Sequence, residues 1–548
     1  MSDKPVTVYG IDLGTTYSCI ACVDEFGKPT VLKNFEGDST TPSVVQFDGQ
    51  LRVVGKEAKN VAQMYPDSVV EMVKRRMGEA GWRFGYQGVD YSPEEISSYI
   101  LRKVVGDAEV QLGEKITDVV ITCPAYFGVN EREATAKAGE IAGLNVRSII
   151  NEPTAAALAY GALQDQDMVV LVYDLGGGTF DITMIAIKQG AIEVIATGGN
   201  HYLGGRNWDE VIVNYLADQW KATTGSNDDP VDNAETRNDL FGRAEQAKRS
   251  LTAREKTDIA VTHAGELQKV TLTREKFDEL TRNLLEETIA HTQRVLEQAK
   301  EKDYSRFDRL LLVGGSTKMP QVMERLRKEF GVEPQRFDPD ESVAKGAALF
   351  GQKLAIGEEI KVKLAGWGIE NADTAPAELL KKAQQEIADD RGMALAGVQK
   401  IGSIGIVNIT SKSFGVEAVA KATGEVKVSN LIRVNDRVPT KSSQRFGTLE
   451  ANQEIVEIRV MENNMMAPDT TVEDSREIGK ATLTLPSGLP EDSPIEITFN
   501  LDEQGRLHVT GVELTSKVTI EGDYVTTSVI SEEETKEAVA RSKQLVIS

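Results

Sequence analysis

Two copies of one short motif constrain the fold of this chain more than any other feature. The first copy spans residues 9–16 (YGIDLGTT) and the second spans residues 172–179 (VYDLGGGT), about 160 residues later. In each copy an apolar strand ends in Asp-Leu-Gly, small residues and threonine follow, and a second apolar strand begins. Two such hairpins indicate a duplicated fold with a ligand held between the copies.

The pattern along the chain changes twice. Strand-like and helix-like segments alternate over residues 1–357, which predicts an α/β domain with a largely parallel sheet. Over residues 403–530 short alternating strands separated by turn residues predict an all-β domain. Residues 531–548 begin with Ser531 and Glu534 at the spacing of a capping box, which predicts a helix.

The segment between these domains, residues 358–402, carries mixed charges and one helical pattern. Thr374 suits an N-cap and Pro376 a first helical turn. The apolar residues that then recur at helical spacing are Leu379, Leu380, Ala383 and Ile387. We therefore expect an insertion or linker with one short amphipathic helix.

Charge and apolar patterning exclude several classes of protein. The chain has 62 Lys and Arg against 85 Asp and Glu, a net charge of −23, whereas nucleic-acid binders cluster Lys and Arg against phosphates. No stretch approaches the ~18 apolar residues of a membrane span, and the first residues lack the pattern of a secretory signal. Three cysteines cannot form a disulfide framework. We expect a cytoplasmic protein that binds neither nucleic acid nor membrane.

Cysteine and histidine chemistry is not expected. Cys19 and Cys22 match the C-x-x-C pattern, but they lie in an expected strand, where residues i and i+3 point to opposite faces. The histidines, which are His201, His263, His291 and His508, show no metal-ligand spacing. A structural role for both cysteines is the preferred interpretation.

The two hairpins carry the residues of a phosphate site. Glycine lets backbone N–H groups approach an anion closely, and threonine hydroxyls add donors. Asp12 and Asp174 end their strands and can hold hydrated Mg²⁺ beside phosphates, and Asp181 adds a carboxylate. A third apolar strand ends in Gly314 and Gly315, where a nucleoside can lie against the backbone. The absence of G-x-x-x-x-G-K-[ST] excludes a P-loop, and the absence of G-x-G-x-x-G after the first strand removes a Rossmann dinucleotide site.

Longer runs resemble the DnaK family, the seventy-kilodalton heat-shock chaperones of the actin-like ATPase superfamily. The matching runs include residues 10–18 (GIDLGTTYS), 124–127 (PAYF), 150–161 (INEPTAAALAYG), 174–181 (DLGGGTFD), 203–205 (LGG), 313–317 (VGGST) and 339–348 (PDESVAKGAA). The resemblance covers residues 6–352 and, more loosely, 403–540. It implies an actin-like ATPase domain of two ribonuclease-H-like halves (1–357), a β-sandwich that binds peptides (403–530) and the start of a helical lid (531–548).

The resemblance also implies site residues for ATP hydrolysis. Lys74 would stabilise charge on the γ-phosphate and orient the attacking water, although on its own it reads as part of a solvated basic cluster. The other expected catalytic residues are Asp12, Glu152, Asp174, Thr179 and Asp181, with Asp12 and Asp174 holding Mg²⁺ through water. The expected nucleotide contacts are Gly14, Thr15, Thr16, Tyr17, Gly176, Gly177, Gly178, Gly204, Gly205, Glu245, Lys248, Arg249, Thr252, Gly314, Gly315, Ser316, Lys318 and Asp340. The implied cofactors are ATP or ADP with Mg²⁺, and K⁺ is a further candidate ion.

For the β-domain, the resemblance implies binding of extended hydrophobic segments of unfolded proteins. Pro124 and Arg132 would relay the nucleotide state towards this domain. The expected peptide contacts are Val428 and Leu449, arching over the peptide, and Phe446, Val456 and Ile458, lining an apolar pocket. Without the resemblance, these residues are interpreted as ordinary core residues of a β-sandwich.

Four departures from the family pattern bear on partners. Residues 78–92 form a segment near the cleft that is shorter than its counterpart in the family, and this difference affects the expected binding of a nucleotide-exchange factor. Lys318 replaces an arginine that stacks on adenine in the family, and lysine lacks the planar face of arginine. Around the Leu-Gly-Gly turn, residues that are small or acidic in the family are replaced by His201, Tyr202, Arg206 and Asn207. The acidic–leucine linker is not visible, so stimulation by a J-domain co-chaperone is a hypothesis. The short lid predicts fast peptide exchange.

Three functions remain open on sequence alone. The leading hypothesis is an ATP-hydrolysing DnaK-like chaperone, because the catalytic set is complete. The alternative is a non-cycling, nucleotide-bound scaffold or co-chaperone, which the altered linker and short lid motivate. A small-molecule kinase on the same fold explains the phosphate hairpins but neither the β-domain nor Lys74.

Overall fold

A computed structural model describes residues 5–161, 166–188, 190–421, 423–503, 505–515, 519–522, 525–526 and 529–548. The helices in this part of the chain are α1 (Lys56–Val61), α2 (Pro93–Leu112), α3 (Val129–Ile141), α4 (Glu152–Gly161), α5 (Gly205–Thr224), α6 (Ala234–Leu251), α7 (Arg274–Lys300), α8 (Pro320–Phe330), α9 (Ser342–Gly366), α10 (Ala377–Arg391), α11 (Leu395–Gly402) and α12 (Glu532–Gln544). The strands are β1 (Val8–Asp12), β2 (Tyr17–Val23), β3 (Pro29–Leu32), β4 (Thr41–Pro42), β5 (Val45–Asp48), β6 (Leu51–Val54), β7 (Val69–Val70), β8 (Phe84–Tyr86), β9 (Val89–Tyr91), β10 (Asp118–Cys123), β11 (Asn145–Asn151), β12 (Met168–Leu175), β13 (Phe180–Lys188), β14 (Ala191–Asn200), β15 (Lys256–His263), β16 (Glu266–Thr273), β17 (Arg309–Val313), β18 (Pro334–Arg336), β19 (Gly405–Ile409), β20 (Ser413–Val419), β21 (Val426–Ile432), β22 (Arg437–Val438), β23 (Thr440–Gly447), β24 (Ile455–Asn463), β25 (Asp469–Thr470), β26 (Ser475–Thr484), β27 (Pro494–Leu501), β28 (Leu507–Glu513), β29 (Thr519–Gly522), β30 (Val525–Thr526) and β31 (Val546–Ile547).

The two predicted hairpins are the centres of two sheets with the same topology. One sheet runs in the order β3-β2-β1-β10-β11, and the other contains the run β14-β13-β12-β17-β18. In both runs the first three strands are antiparallel and the last two are added in parallel. The duplication is therefore confirmed, and we call residues 5–161 lobe I and residues 166–341 lobe II. The prediction of largely parallel sheets is wrong, because each phosphate hairpin itself joins two antiparallel strands.

Helices α4 and α9 cross between the lobes at a contact made of small residues. A Cβ atom at Gly346 of α9 would lie 1.7 Å from the carbonyl oxygen of Ala155 of α4. Helix α9 packs as closely on strand β1, because a Cβ atom at Gly10 would lie 2.1 Å from the backbone nitrogen of Ala348. Only glycine permits backbones to approach this closely. The crossing places Glu152, the first residue of α4, at the bottom of the space between the lobes.

Cys19 and Cys22 lie on opposite faces of β2, as predicted. Cys19 is buried against Ala344 and Ala348 of α9, whereas Cys22 packs on the core of lobe I. Both thiols are free. The arrangement fits structural roles for the pair.

The segment 358–402 is more helical than predicted. Helix α9 runs through residue 357 to Gly366, and α10 and α11 follow it. The single helix that we expected is α10. Its buried residues Ile387 and Ala388 pack with Leu349, Ile356 and Val398, from the two neighbouring helices. The prediction missed the others because the first domain was expected to end at Gly357, whereas the structure keeps α9 continuous past that residue.

Residues 413–526 form a sandwich of two antiparallel sheets. One has the order β25-β21-β20-β24-β26-β30 and the other has the order β23-β27-β28-β29. Alternate residues of the strands, including Ile432, Val460 and Phe499, form the core between the sheets. Strand β19, which leads into the sandwich, instead pairs in parallel with β14 at the edge of the lobe II sheet. The sandwich is thus joined to lobe II by a strand of the same sheet that carries the second hairpin.

The last described residues pack on lobe I. Helix α12 begins with the predicted capping box of Ser531 and Glu534 and lies against α3, where Ile530 and Ala538 contact Ile141. Strand β31 then adds in parallel to β6 of lobe I. This segment therefore completes lobe I in the structure, and a role as a lid stays a prediction.

One ion pair attaches α12 to lobe I, and its contribution to the free energy of unfolding can be tested. The guanidinium of Arg541 donates to both carboxylate oxygens of Glu95 at 3.1 and 2.9 Å, and the side chain of Glu95 is 1 % exposed. Arg541→Ala leaves this carboxylate without its cation, so we expect a loss of about 1–3 kcal/mol, the smaller end reflecting the partial exposure of Arg541. Urea unfolding measures it, and Lys536→Ala, at an exposed position of the same helix, is the matched control. Equal stability of both variants would contradict the attachment.

Candidate nucleotide site

A cleft of about 440 Å³ opens between the two lobes. Both hairpins, helix α6 and the turns that follow β17 and β18 line it. The predicted residues that line this cleft are Asp12, Gly14, Thr15, Thr16, Tyr17, Lys74, Glu152, Asp174, Gly176, Gly177, Thr179, Glu245, Lys248, Arg249, Thr252, Gly314, Gly315, Ser316, Lys318 and Asp340. The fold thus gathers residues that are up to 328 positions apart in the sequence (from Asp12 to Asp340) around one cavity.

Four predicted residues lie next to the cleft without lining it. Gly178 and Gly204 pack backbone to backbone, since a Cβ at Gly204 would lie 2.6 Å from Gly178. Gly205 begins α5, and its N–H donates to the carbonyl of Gly176 at 2.9 Å. Asp181 is buried on β13, where it accepts a hydrogen bond from the backbone N–H of Tyr126 at 3.3 Å. These four residues lie behind the residues that line the cleft and help to hold them in place.

The two hairpins touch each other across the lobe boundary. A Cβ atom at Gly177 would lie 2.3 Å from the Cγ2 atom of Thr16, and one at Gly178 would lie 2.4 Å from the Cγ2 atom of Thr15. The second hairpin therefore has glycine where the first presents threonine. The contact brings both sets of backbone N–H groups to one end of the cleft, which suits a polyphosphate.

Gly177→Ala tests this contact. The added methyl group must push Thr16 and its hairpin away, and overpacking of this kind costs about 1–3 kcal/mol. We expect ATP binding to weaken by about tenfold or more, measured by titration calorimetry. Gly176→Ala is the matched control, because a Cβ there has no neighbour nearer than 3.5 Å. An equal loss in both variants would show that the hairpin contact is not the cause.

A buried ion pair lies at the phosphate end of the cleft. The Nζ atom of Lys74 donates a short hydrogen bond to Oε1 of Glu152, and Lys74 is 4 % exposed. The alternative that Lys74 is a solvated surface residue is therefore wrong. Asp12, Asp174 and Asp181 are buried around the same pair, and Thr122 donates to Asp12 at 3.1 Å.

Burial and mutual repulsion control the protonation of these groups. Burial, followed by the charge of Glu152, raises the pKa of Asp12 to about 7 and that of Asp181 to about 8. The same two causes raise the pKa of Asp174 well above its usual range. Burial lowers the pKa of Lys74, but the charges of Glu152 and Asp12 outweigh it and the pKa is raised. The three aspartates at this end of the cleft therefore hold their protons more tightly than exposed aspartates do, around one fixed cation.

This donor set fits hydrated magnesium. Carboxylate oxygens are the ligands that Mg²⁺ prefers, and it usually keeps several waters and substrate phosphates in its shell. Within the described ranges, no three His, Cys, Asp or Glu side chains converge as a direct metal cage. Asp12 and Asp174 would therefore hold the ion through water, and its charge would relieve the repulsion that raises their pKa values.

The far end of the cleft carries ion pairs that sequence reasoning missed. Lys59 of α1 pairs with Glu245 of α6 at 2.7 Å and links the two lobes across the opening. The hydroxyl of Tyr17 accepts from both Lys59 and Arg249, at 2.9 and 2.7 Å. Lys59 has no motif and lies 186 residues from its partner, so no pattern in the sequence indicates it.

Two further ion pairs hold residues that the resemblance assigns to nucleotide binding. Lys248 pairs with Asp209 at 2.7 Å and donates to the carbonyl of Gly205 at 2.9 Å. Asp209 lies one helical turn after Gly205, so its position on the cleft could have been deduced from the helix. Lys318 pairs with Asp340 at 2.5 Å, which holds both residues on the rim.

Arg132 connects the Lys74–Glu152 end of the cleft to the sandwich. Its guanidinium donates a short hydrogen bond to Asn151, the residue before Glu152, and a longer one to the carbonyl of Phe127 at 3.3 Å. A Cβ at Gly505, in the loop between β27 and β28, would lie 3.4 Å from Arg132. Pro124 begins the turn that leads to Phe127, whose N–H donates to its carbonyl at 3.1 Å. Arg132 thus lies between the cleft and the sandwich, and a relay role for Pro124 stays a prediction.

The expected peptide residues occupy three environments. Val428 is fully buried, so the prediction that it arches over a peptide is wrong; pairing with Thr470 of β25 places it inside the sheet. Ile458 lies in the sandwich core, and Phe446 and Val456 pack partly exposed against it. Leu449 is 59 % exposed, and the other exposed apolar side chains at this end of the sandwich are Val419, Val426 and Ile455.

The described residues contain no helix that is both long and apolar enough to cross a membrane. A comparison with protein families finds the family described as "Hsp70 protein", which matches residues 8–84, 79–364 and 388–546. The match includes both lobes, the sandwich and α12. With the duplicated lobes, the phosphate hairpins and the sandwich in place, this match over nearly the whole length shows that the chain belongs to the Hsp70 family.

Proposed function

We propose that this chain is a DnaK-like chaperone that binds and hydrolyses ATP and binds extended hydrophobic segments of unfolded proteins. The observation that carries the proposal is the buried pair of Lys74 and Glu152, set among three buried aspartates at the phosphate end of the cleft. An inert scaffold has no need of a buried, charged lysine at this place, since burying charges costs free energy.

The chain's own residues support each part of a hydrolysis step. The backbone N–H groups of the two hairpins bind the phosphates, and Thr179 lies where it can orient a water molecule. Lys74 stabilises negative charge that develops on the γ-phosphate. Bound Mg²⁺ would neutralise phosphate charge. Burial at the bottom of the cleft excludes bulk water and strengthens these electrostatic interactions.

Contacts between the lobes and the sandwich support coupling of the two activities. Lys74 contacts Glu152, Asn151 precedes it, and Arg132 extends from Asn151 to the sandwich. Strand β19 joins the sandwich to the lobe II sheet. A change in the relative position of the lobes would therefore be transmitted to the sandwich. Regulation by a J-domain protein or an exchange factor stays a prediction.

Leu449→Ser tests the peptide site. If exposed apolar side chains at the end of the sandwich bind peptide, removal of one leucine should weaken binding of a hydrophobic peptide about tenfold or more, since burying leucine contributes about 1.5–3 kcal/mol and about 1.4 kcal/mol is a factor of ten in affinity. Fluorescence anisotropy of a labelled peptide measures the affinity. Leu267→Ser on β16, also exposed and remote from the sandwich, should bind as the wild type does. Matching affinities for both variants would place the peptide elsewhere.

The alternative of a non-cycling scaffold is supported by the attachment of α12 and β31 to lobe I. Such a protein would bind ATP and retain it uncleaved. Single-turnover hydrolysis of labelled ATP separates the two functions: cleavage supports the proposed chaperone, and bound but intact ATP supports the scaffold.

A further inference from the structure

One guanidinium on the cleft has no ion pair or side-chain hydrogen bond to any part of the chain that the structure describes. It belongs to Arg206, the second residue of α5, which lines the cleft beside the second hairpin. The Cζ atom of its guanidinium lies over the ring of Phe241, 3.5 Å from the ring centroid. Stacking of this kind fixes a guanidinium and leaves its N–H edges available.

A second arginine approaches the same place from the opposite lobe. Arg75 of lobe I donates from Nε and Nη2 to the carbonyl of Gly178, at 2.9 and 2.6 Å, and from Nη2 to Asn207 at 3.1 Å. It thus reaches across the lobe boundary to the end of the second phosphate hairpin. In the described structure its Nη1 group makes no hydrogen bond.

The two guanidinium groups interact with each other. Burial, followed by the charge of Arg206, lowers the pKa of Arg75 to about 10, so Arg75 remains charged at neutral pH. The nearby carboxylate of Glu210 offsets only part of this repulsion. Two cations held together at the edge of a phosphate cleft are stabilised by an anion placed between them.

We infer that Arg75 and Arg206 form a phosphate-anion site at the lobe boundary, beside the Gly176–Gly178 hairpin and separate from Lys74. Planar guanidinium groups with free N–H edges match the oxygens of a phosphate group. The anion is either the γ-phosphate of bound ATP or the inorganic phosphate released by hydrolysis. This inference rests on the proposed function, since it deepens the description of the same cleft.

The two sources predict different effects of Arg206→Ala. If the site holds the γ-phosphate, ATP should bind about tenfold more weakly to the variant while ADP and adenosine bind as before. If it holds released phosphate, inorganic phosphate should tighten ADP binding to the wild type about tenfold, and the variant should lose this effect with unchanged affinity for ATP. Either result supports the site. Titration calorimetry with ATP, ADP, ADP plus inorganic phosphate, and adenosine distinguishes them.

Two further variants keep the test falsifiable. Arg206→Lys retains the charge without the planar fork and should recover part of the phosphate effect. Arg243→Ala removes an arginine of α6 that is already paired with Asp239, and it should behave as wild type. The inference is overturned if Arg206→Ala matches wild type for all four ligands, or if it weakens adenosine as much as ATP, which would indicate a structural role.

The test does not depend on hydrolysis. A wild-type protein that binds ATP without cleaving it refutes the proposed chaperone cycle but leaves the γ-phosphate arm intact. If the wild type binds no nucleotide, protection from thermal unfolding by inorganic phosphate alone tests the arginine pair. Protection of the wild type and not of Arg206→Ala supports the site, and equal protection overturns it.

Discussion

We expect the Lys74→Met variant to bind ATP and to hydrolyse it about two to three orders of magnitude more slowly than the wild type. Lys74 is the buried cation at the phosphate end of the cleft, and methionine keeps much of its volume without the charge. Loss of the ammonium removes the group that stabilises developing charge on the γ-phosphate. Single-turnover hydrolysis of labelled ATP measures the rate directly.

The same variant leaves Glu152 buried without its partner, so its stability needs a control. Breaking a buried ion pair from one side costs about 3–5 kcal/mol. The double variant Lys74→Met/Glu152→Gln removes both charges and should recover much of this stability while remaining inactive. Recovery of hydrolysis along with stability would show that Lys74 acts only through folding, and would contradict the catalytic role.

The second large effect is expected at Glu462, where the sandwich meets lobe I. This carboxylate is buried, accepts a hydrogen bond from the N–H of Val129 at 3.3 Å and faces Glu131, Lys412 and Arg476. Burial, followed by the charge of Glu131, raises its pKa from 4.5 to about 7, although Lys412 opposes the shift. A carboxyl whose pKa is higher in the folded state binds its proton more tightly there, so its contribution to stability is lost as the pH rises from about 4.5 through 7.

Glu462→Gln should remove this pH dependence, because glutamine keeps the acceptor for Val129 and cannot ionise. At about 1.4 kcal/mol per pKa unit, we expect the variant to gain about 2 kcal/mol over the wild type between pH 5 and pH 8. Urea unfolding at both pH values measures the difference. Glu457→Gln, at an exposed position of the same strand, should give no pH-dependent gain. A gain at Glu462 that is the same at both pH values would show that ionisation is not the cause.

The central architecture could be predicted because it repeats in the sequence. The Asp-Leu-Gly hairpin occurs twice with the same flanking strands, and the structure places the two copies at the centres of two sheets of matching order. The change to alternating short strands likewise predicted the sandwich, because a period of two in the apolar residues is what a half-buried strand requires. Ser531 and Glu534 predicted the start of α12 to the residue.

Other features depended on contacts that leave no local pattern. The pair of Lys59 and Glu245 and the approach of Arg75 to Arg206 each join two lobes that are far apart in the sequence. The sequence showed an altered residue at Arg206 but not what it faces. Such pairs are determined by how the lobes pack, so a single sequence does not show them.

The wrong predictions for Val428 and for the end of helix α9 also have physical causes. Val428 lies in a strand in which five consecutive residues are buried, so apolar alternation could not assign it to a surface. Helix α9 continues past Gly357 because the flanking residues Ile356 and Ile360 are buried in its packing, and that packing offsets the lower helix propensity of glycine.

The measurement that tests the account most directly is single-turnover ATP hydrolysis by the wild type, with and without a saturating hydrophobic peptide. We predict that bound ATP is cleaved and that peptide changes the rate, with Leu449→Ser requiring more peptide for the same change and Lys74→Met cleaving ATP about two to three orders of magnitude more slowly. ATP that stays intact, or a rate that no concentration of peptide alters, would contradict a coupled chaperone ATPase.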